Sequence, residues 1–297
     1  MHVPPHKAIL KRHTFQGSDT LPCVVTSEAP SLFSHILQAA KQELAHEGFV
    51  ELALPAEWAA RRPCAATAGG SDAVVTPTPA AAGGTQLRSF AAVHPQRGAR
   101  CSAAHITGPR AEILNMMIYP GNPLRVPVFA LEYIAFGGKP RVAVVDLQPA
   151  AGATPGGPGD KLTHEVVDAL GDVSADIRAA LAPGGELPEW ALMHFTPACL
   201  YSRPTCHEYA GIASDMRLLT TAFHHYLAVW RSEFLARDES GGEESALGAV
   251  YLAAYQRHHV QHTPGRPFLT KTFAREWAER YLREFMYPAD ETLRGRG

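Results

Sequence analysis

Glu132 is an acid set inside an apolar, strand-like run, with Leu131 and Tyr133 beside it. A carboxyl group so placed is either a surface residue on the wet face of a sheet or a buried acid whose pKa is raised because burial penalises its charge. The second state suits delivery of a proton to a substrate. Position alone leaves both open, and the wet face is the plainer reading. The next candidates are imidazoles. His258, His259 and His262 cluster near the C-terminus, and His258 and His262 stand at i, i+4 on one helix face. Two histidines without a nearby acidic or thiol ligand are a weak metal signal, and a polar pocket or a surface face is the plainer account. His224 and His225 fall inside an amphipathic helix and read as a half-exposed pair.

Other chemistries are set aside by what the chain lacks. No G-x-G-x-x-G follows a strand and no Walker loop is present, so neither a dinucleotide nor a nucleotide phosphate has its usual cradle. H-E-x-x-H and G-x-S-x-G are also missing. No motif indicates a redox cofactor carried by the chain itself. The formal net charge of −2 argues against nucleic acid as main partner. No apolar run approaches the roughly 20 residues of a membrane span. The cysteines at 23, 64, 101, 199 and 206 form no C-x-x-C pair, which suggests a reducing compartment and neither a zinc site nor a disulfide frame.

The elements that must position Glu132 lie in the stretch from Leu114 to Pro149. Three apolar runs, Ile113–Tyr119, Val126–Phe136 and Arg141–Leu147, are separated by Pro120-Gly121-Asn122-Pro123 and by Gly137-Gly138-Lys139-Pro140. Short Gly-containing turns between β-prone runs predict an antiparallel meander. Upstream, Leu32, Phe33, Ile36, Leu37, Ala40 and Leu44 recur at helical spacing before Gly48, and strands are expected at Phe49–Leu54 and Gln86–Val93. Residues 1–30 read as a poorly ordered extension without a secretory h-region, and 65–84 as an Ala/Gly/Thr/Pro surface loop. Downstream, a helix runs through Val166 to Leu181, a short strand covers Cys199–Arg203, and a long helix spans Tyr209–Phe234. Two more helical stretches cover 244–260 and 270–286. Strands early and helices late, without strict alternation, predict an α+β fold in which helices cover an antiparallel sheet, and 297 residues suit one large domain or two.

Four blocks of this chain resemble the ferredoxin-dependent bilin reductases. Leu114-Asn115 through Tyr119-Pro120 is similar to that family's L-N-x-x-x-[FY]-P, and Val126-Pro127-Val128-Phe129-Ala130-Leu131-Glu132 to its [LI]-P-x-F-G-x-D. Val144-Val145-Asp146-Leu147-Gln148-Pro149 resembles its hydrophobic-D-x-x-P strand. Lys271 through Tyr281 resembles its F-G-x-x-W-x-x-x-[YF] helix. Leu187-Pro188-Glu189-Trp190 and Cys199 through Pro204 add support between them. The blocks keep family order and spacing over roughly residues 32–288.

The resemblance implies a single reductase domain over 31–290, a three-layer α/β/α sandwich with the bilin between the sheet and the C-terminal helices. It implies no bound flavin, nicotinamide or metal. Reduced ferredoxin supplies single electrons to the bilin, and the protein supplies shape, propionate contacts and protons. Glu132 takes the place of the family's catalytic aspartate, with one added methylene, and Asn115 matches the residue beside that acid. Thr263 stands where the family commonly has a second proton-donating Asp, and Thr is no acid near neutral pH. His262 beside it is the alternative donor, or else a surface histidine at a helix end. Arg203, Arg141 and His259 align with positions that face the propionates, and Arg203, which follows an apolar strand, carries that reading best.

Within the family the chain looks most similar to 15,16-dihydrobiliverdin:ferredoxin oxidoreductases, through Tyr119-Pro120, Phe136-Gly137-Gly138-Lys139 and Arg283 through Pro288. The implied substrate is biliverdin or dihydrobiliverdin, and the implied partners are ferredoxin and, for hand-over, heme oxygenase or a following bilin reductase. A monomer is expected, in plastid stroma or bacterial cytoplasm. Lys271, Arg275, Arg280 and Arg283, with Lys139 and Arg141, are the candidate basic docking surface. A bilin-binding protein without reductase activity stays open as the alternative, because of Thr263. Anaerobic incubation with biliverdin and reduced ferredoxin discriminates the two.

Overall fold

A computed structural model of the chain describes residues 31–63, 84–238 and 242–289. The extension at 1–30 and nearly all of the loop at 65–84 lie outside the described residues. The order is α1 (Ser34–His46), β1 (Val50–Glu51), α2 (Ala56–Ala59), β2 (Ala60–Arg61), β3 (Gln86–Val93), β4 (Arg100–Thr107), β5 (Ala111–Tyr119), β6 (Val128–Phe136), β7 (Lys139–Gln148), α3 (Asp160–Ala180), β8 (Leu200–Ser202), α4 (Tyr209–Val229), α5 (Gly242–His262), α6 (Arg266–Phe273) and α7 (Arg275–Arg280). Five-to-six-residue π-helical turns, Trp230–Phe234 and Tyr281–Met286, prolong α4 and α7.

The strands form one antiparallel sheet in which β3 to β8 are neighbours in chain order, and within it β5, β6 and β7 are the meander that the turn spacing predicts. The β6–β7 turn is Gly137-Gly138, with φ of +57° and +72°. A two-residue hairpin with both central residues at positive φ matches strand twist, and glycine adopts it without steric cost. Beyond β3 the sheet edge is shared: β1 pairs with Val93 and Ala92, and β2 with Arg88 and Leu87. The strand expected over Phe49–Leu54 is therefore shorter, because the chain leaves this edge and returns to it through α2. β4 carried no sequence expectation; Cys101, Ser102, Ala103 and Ala104 are small residues without the β-branched signature.

Alternate residues of each strand divide between two cores, as period-2 geometry requires. Leu114, Met116 and Ile118 of β5, with Leu131 and Tyr133 of β6, face α1, α3 and α4. Met117 and Tyr119, with Val128 and Ala130, face α2 and the C-terminal helices. The architecture is thus the expected α+β, three-layer α/β/α sandwich. The first core is closed by polar anchors. The buried Trp230 indole donates to the Pro127 carbonyl at 2.8 Å, and the Tyr133 hydroxyl to the Leu219 carbonyl at 2.8 Å. Arg231 pairs with Glu43 and Glu47 and ties α4 to α1.

The second face holds an aromatic ladder: Trp277 stacks on Tyr281 at 4.6 Å, Tyr281 on Phe285 at 5.0 Å, and Trp58 leans on Trp277. The helix expected over 270–286 is broken at Ala274, whose φ of 77° turns α6 into α7 without a glycine. Among the described residues no helix is long and apolar enough to cross a membrane. Cys101 and Cys199 are buried and Cys206 is exposed, all as free thiols, while Cys23 and Cys64 lie outside the described residues. His224 is exposed and His225 half-buried, with a ring nitrogen 3.0 Å from the Leu170 carbonyl.

Candidate active site

Asn115 and Glu132 face each other in register across β5 and β6, on the sheet face that looks toward α5–α7. Their neighbours on that face are Met117 and Ala130, so the same alternation that buries Leu131 and Tyr133 on the other side turns Glu132 to this one. Asn115 Nδ2 donates to Glu132 Oε1 at 3.4 Å. The residue is half-buried, and its carboxyl faces a cavity open at one side. Burial raises its pKa above the ordinary glutamic acid range, and the Asn115 hydrogen bond pulls the other way. Of the two readings of an acid in an apolar strand, the geometry matches the shielded one.

That space has two lobes which meet at Glu132. The larger, about 480 Å³, has the sheet as its floor and the loop between α3 and β8, with Trp190 and Phe195, as its side wall. The smaller, about 160 Å³, runs under Phe268, Leu269 and Tyr281. Asn115, Glu132, Ile134, Thr263, Pro264 and Tyr287 line both. A largely apolar cavity with a few converging polar groups is a small-molecule site.

The side wall is fixed from below by Asp146. Its carboxylate accepts from the Thr196 N–H at 2.8 Å, the Thr196 hydroxyl at 2.6 Å and the Leu147 N–H at 2.9 Å. Burial pushes this carboxyl up to about 7 against those donors. The same loop is held from above, where His258 Nε2 lies 2.7 Å from the Trp190 carbonyl.

The sequence-derived candidates separate in space. Glu132, Asn115, Thr263, His259 and Arg203 all line the larger lobe. Arg203 is exposed at the mouth, its guanidinium 5.5 Å from the Tyr201 ring centre, and is the only arginine or lysine among the lining residues. His259 is buried, and desolvation pushes its pKa down to about 3, so it meets a ligand as a neutral ring at neutral pH. Arg141 is the extra residue of a β-bulge, since Ile134 pairs with Val142 and Ala135 with Pro140, and it does not line the cavity.

His262 is exposed and lies outside the wall. Its ring stacks on Trp190 with planes 8° apart, and its Nδ1 is 2.9 Å from the His258 carbonyl. The i, i+4 pair His258 and His262 thus grips the loop through Trp190, and among the described residues no group of three ligands suited to a metal is found. Of the basic residues around the last helix, Arg280 is committed to Glu57 and Glu284.

Two lining residues carried no role in the sequence. Tyr287 is a buried phenol whose pKa burial raises further, next to Glu132, Thr263 and Asn115. Gln148 is fully buried at the end of β7. Gln148 lies inside the hydrophobic-D-x-x-P block and Tyr287 at the end of the last helical stretch, but their convergence on one cavity depends on tertiary packing.

A family model described as ferredoxin-dependent bilin reductase matches residues 84–288. A phycoerythrobilin:ferredoxin oxidoreductase of Parasynechococcus marenigrum is 26% identical over 195 residues, 66% of this chain and 71% of that protein. One from Gloeobacter violaceus is 29% identical over 188 residues, 62% of this chain and 72% of its own length. In fold, the chain is similar to tomato phytochromobilin synthase solved in complex with biliverdin, at a TM-score of 0.68 and 14% identity, covering 88% of this chain and 84% of that one.

Proposed function

The chain belongs to the ferredoxin-dependent bilin reductase family, and from that membership we propose that it reduces biliverdin IXα at the 15,16 methine bridge to 15,16-dihydrobiliverdin. As a member it is an oxidoreductase that takes electrons from reduced ferredoxin and passes them to a bilin. The observation that carries the site assignment is the half-buried Glu132 carboxyl, which lines both cavity lobes and whose pKa desolvation raises. Residues 31–290 form the reductase domain in this reading.

The chemistry follows from what each residue can do. Two electrons arrive one at a time from ferredoxin, and two protons must follow for each reduced double bond. Glu132, whose carboxyl holds its proton more tightly because of burial, hydrogen-bonds the bound bilin and gives the first proton once the bilin has gained an electron. Asn115 holds that carboxyl through Nδ2. Thr263 has no acidic proton and His262 turns away from the cavity, so the second proton reaches the bilin after Glu132 is recharged from solvent through the open mouth. Arg203 at that mouth pairs with a propionate. The protein works as a monomer, receives biliverdin from heme oxygenase and passes its product to a following bilin reductase.

A second reading, that the product is phycoerythrobilin, is favoured by the similarity to the phycoerythrobilin:ferredoxin oxidoreductases of Parasynechococcus marenigrum and Gloeobacter violaceus. Anaerobic incubation with reduced ferredoxin and either biliverdin or 15,16-dihydrobiliverdin, followed by product chromatography, separates the two. Conversion of biliverdin to its 15,16-dihydro derivative is the expected result. Turnover of the dihydro compound alone would transfer the assignment to phycoerythrobilin formation, and a bound but unchanged bilin in both arms would overturn the reductase reading.

A further inference from the structure

Glu132, Asn115, Thr263 and Tyr287 all line both lobes, and their polar ends form one connected group. Asn115 Nδ2 donates to Glu132 Oε1 at 3.4 Å, and the Tyr287 hydroxyl is hydrogen-bonded to the side chains of both Asn115 and Thr263. The members away from Glu132 are held through their backbone. The Tyr287 N–H donates to the Leu282 carbonyl at 2.8 Å, and the Thr263 N–H to the His259 carbonyl at 2.9 Å. Thr263 Oγ1 accepts the Gly265 N–H at 3.4 Å, which leaves one lone pair and the hydroxyl hydrogen for Tyr287.

The far edge of the Asn115 amide is idle. Its Oδ1 is buried and has no hydrogen-bond partner among the described residues. A half-turn of the amide about its last bond exchanges oxygen and nitrogen and breaks no bond on that edge. The hydroxyls adapt by rotation, because each can donate or accept. The group therefore has two complete arrangements. In one, Asn115 gives its two amide hydrogens to Glu132 and to the Tyr287 oxygen, and Tyr287 donates to Thr263. In the other, Asn115 presents its oxygen, which accepts from a protonated Glu132 and from Tyr287, and Thr263 donates to Tyr287.

We propose that Asn115, Tyr287 and Thr263 form a reversible hydrogen-bond chain that turns over as Glu132 alternates between carboxylate and acid. The first arrangement matches the carboxylate, which can only accept, and the second matches the acid, which has a hydrogen to give. No proton travels along the chain. Only its hydrogens change direction, while the proton itself passes between Glu132 and the bilin or solvent. The inference rests on the reductase reading above, in which one acid gives both protons and is recharged between them.

The chain also gives Thr263 a task. A carboxylate at this position would only accept and would lock the first arrangement, whereas a hydroxyl allows both. Tyr287 and Thr263 are positioning residues, since they act on the bilin through Asn115 and Glu132.

The test is Thr263→Val, studied by infrared pH titration of the protonated Glu132 carboxyl band in pigment-free protein. The band is identified by its loss in Glu132→Gln. Without an acceptor at position 263, the Tyr287 hydrogen turns to Asn115 and the second arrangement is favoured. The midpoint of the Glu132 titration should rise by about 0.5–1 pH unit, the contribution of one hydrogen bond. Thr263→Ser, which keeps the hydroxyl, should restore the original midpoint. In a Tyr287→Phe background Thr263→Val should produce no further shift, because the chain is already cut. Thr263→Ala takes its place if Thr263→Val fails to fold by circular dichroism.

An unchanged midpoint in Thr263→Val or its Ala substitute overturns the proposal. So does a shift of full size that persists in the Tyr287→Phe background, which would mean a direct effect of position 263 on Glu132. Anaerobic turnover of biliverdin is a separate measurement: its absence refutes the reductase reading, while the titration still tests the chain.

Discussion

Replacing Glu132 by Gln tests the centre of the site. The substitution keeps length, shape and an oxygen to accept from Asn115 Nδ2, which now lies 3.4 Å from Oε1. It removes the proton. Because the residue lines both lobes but does not anchor the ligand by charge, biliverdin affinity should stay within about threefold. General acid catalysis by a placed side chain is worth about 10²–10⁴-fold, or about 2.7–5.4 kcal/mol at 1.36 kcal/mol per tenfold. Single-turnover reduction by ferredoxin, followed anaerobically by stopped-flow absorbance, should slow by that range and leave a one-electron-reduced bilin visible. Glu132→Asp restores a carboxyl about 1.5 Å shorter in reach and should recover part of the rate. The pH dependence has a definite sign. Burial raises the folded-state pKa, so between the unfolded and folded values the native state holds the extra proton, and stability falls as pH rises through that window. The Gln variant lacks this contribution, and its melting temperature should lose less than that of the unsubstituted protein as pH is raised from about 4.3. Reduction by Glu132→Gln at the unmodified rate would refute the proton-donor assignment.

Arg203→Gln should weaken biliverdin binding by about ten- to hundredfold, the loss of one charge-assisted hydrogen bond, without changing the product; equal affinities in a titration would mean that Arg203 serves only its stack on Tyr201. Ferredoxin-limited turnover should fall as salt is raised, because screening shortens to about 8 Å at physiological ionic strength; with Arg280 held by Glu57 and Glu284, Lys271→Ala and Arg275→Ala should flatten that dependence, and a steady-state salt series checks it. Trp230→Ala removes a fully buried indole and its bond to Pro127, so urea unfolding should show a loss of about 3–5 kcal/mol, and a loss below 1 kcal/mol would mean that the first core refills the space.

Much of this organisation is legible in the residues. Ile113–Tyr119, Val126–Phe136 and Arg141–Leu147 read as strands because β-prone runs are cut by glycine turns, and β5, β6 and β7 fall where those turns place them. α1, α3 and α4 follow from helical spacing. What escaped has physical causes. β4 is built of small residues that a central strand tolerates because neighbours cover both faces. Ala274 breaks a helix at positive φ with no glycine to announce it. Whether Glu132 faced water or ligand depended on which side of the sheet receives α5–α7, a fact of packing. His262 and His259 differ by three positions on one helix, yet Trp190 stacks on the first at the outside while the second closes the cavity. Gln148 and Tyr255 are 107 positions apart, and their hydrogen bond is invisible until the sheet is covered.

The two faces of the sheet are unequal, and this has a consequence for how the protein changes over time. Phe33, Ile36, Tyr133, Phe223 and Trp230 are fully buried on one side, whereas the other carries the two-lobed void. Substitutions that reshape the void, as in a change of pigment specificity, alter side chains that already border empty space and so disturb few packed neighbours. The filled side supplies a reserve of stability against which such changes can be tolerated. A lineage of enzymes on this scaffold can drift from one bilin to another through the residues around Glu132 while α1, α3 and α4 keep the sheet intact. Amide exchange should show the same partition: pigment binding slows it in α5, in the loop carrying Trp190 and at the end of β7, and leaves the rates beneath α1 and α4 as they were.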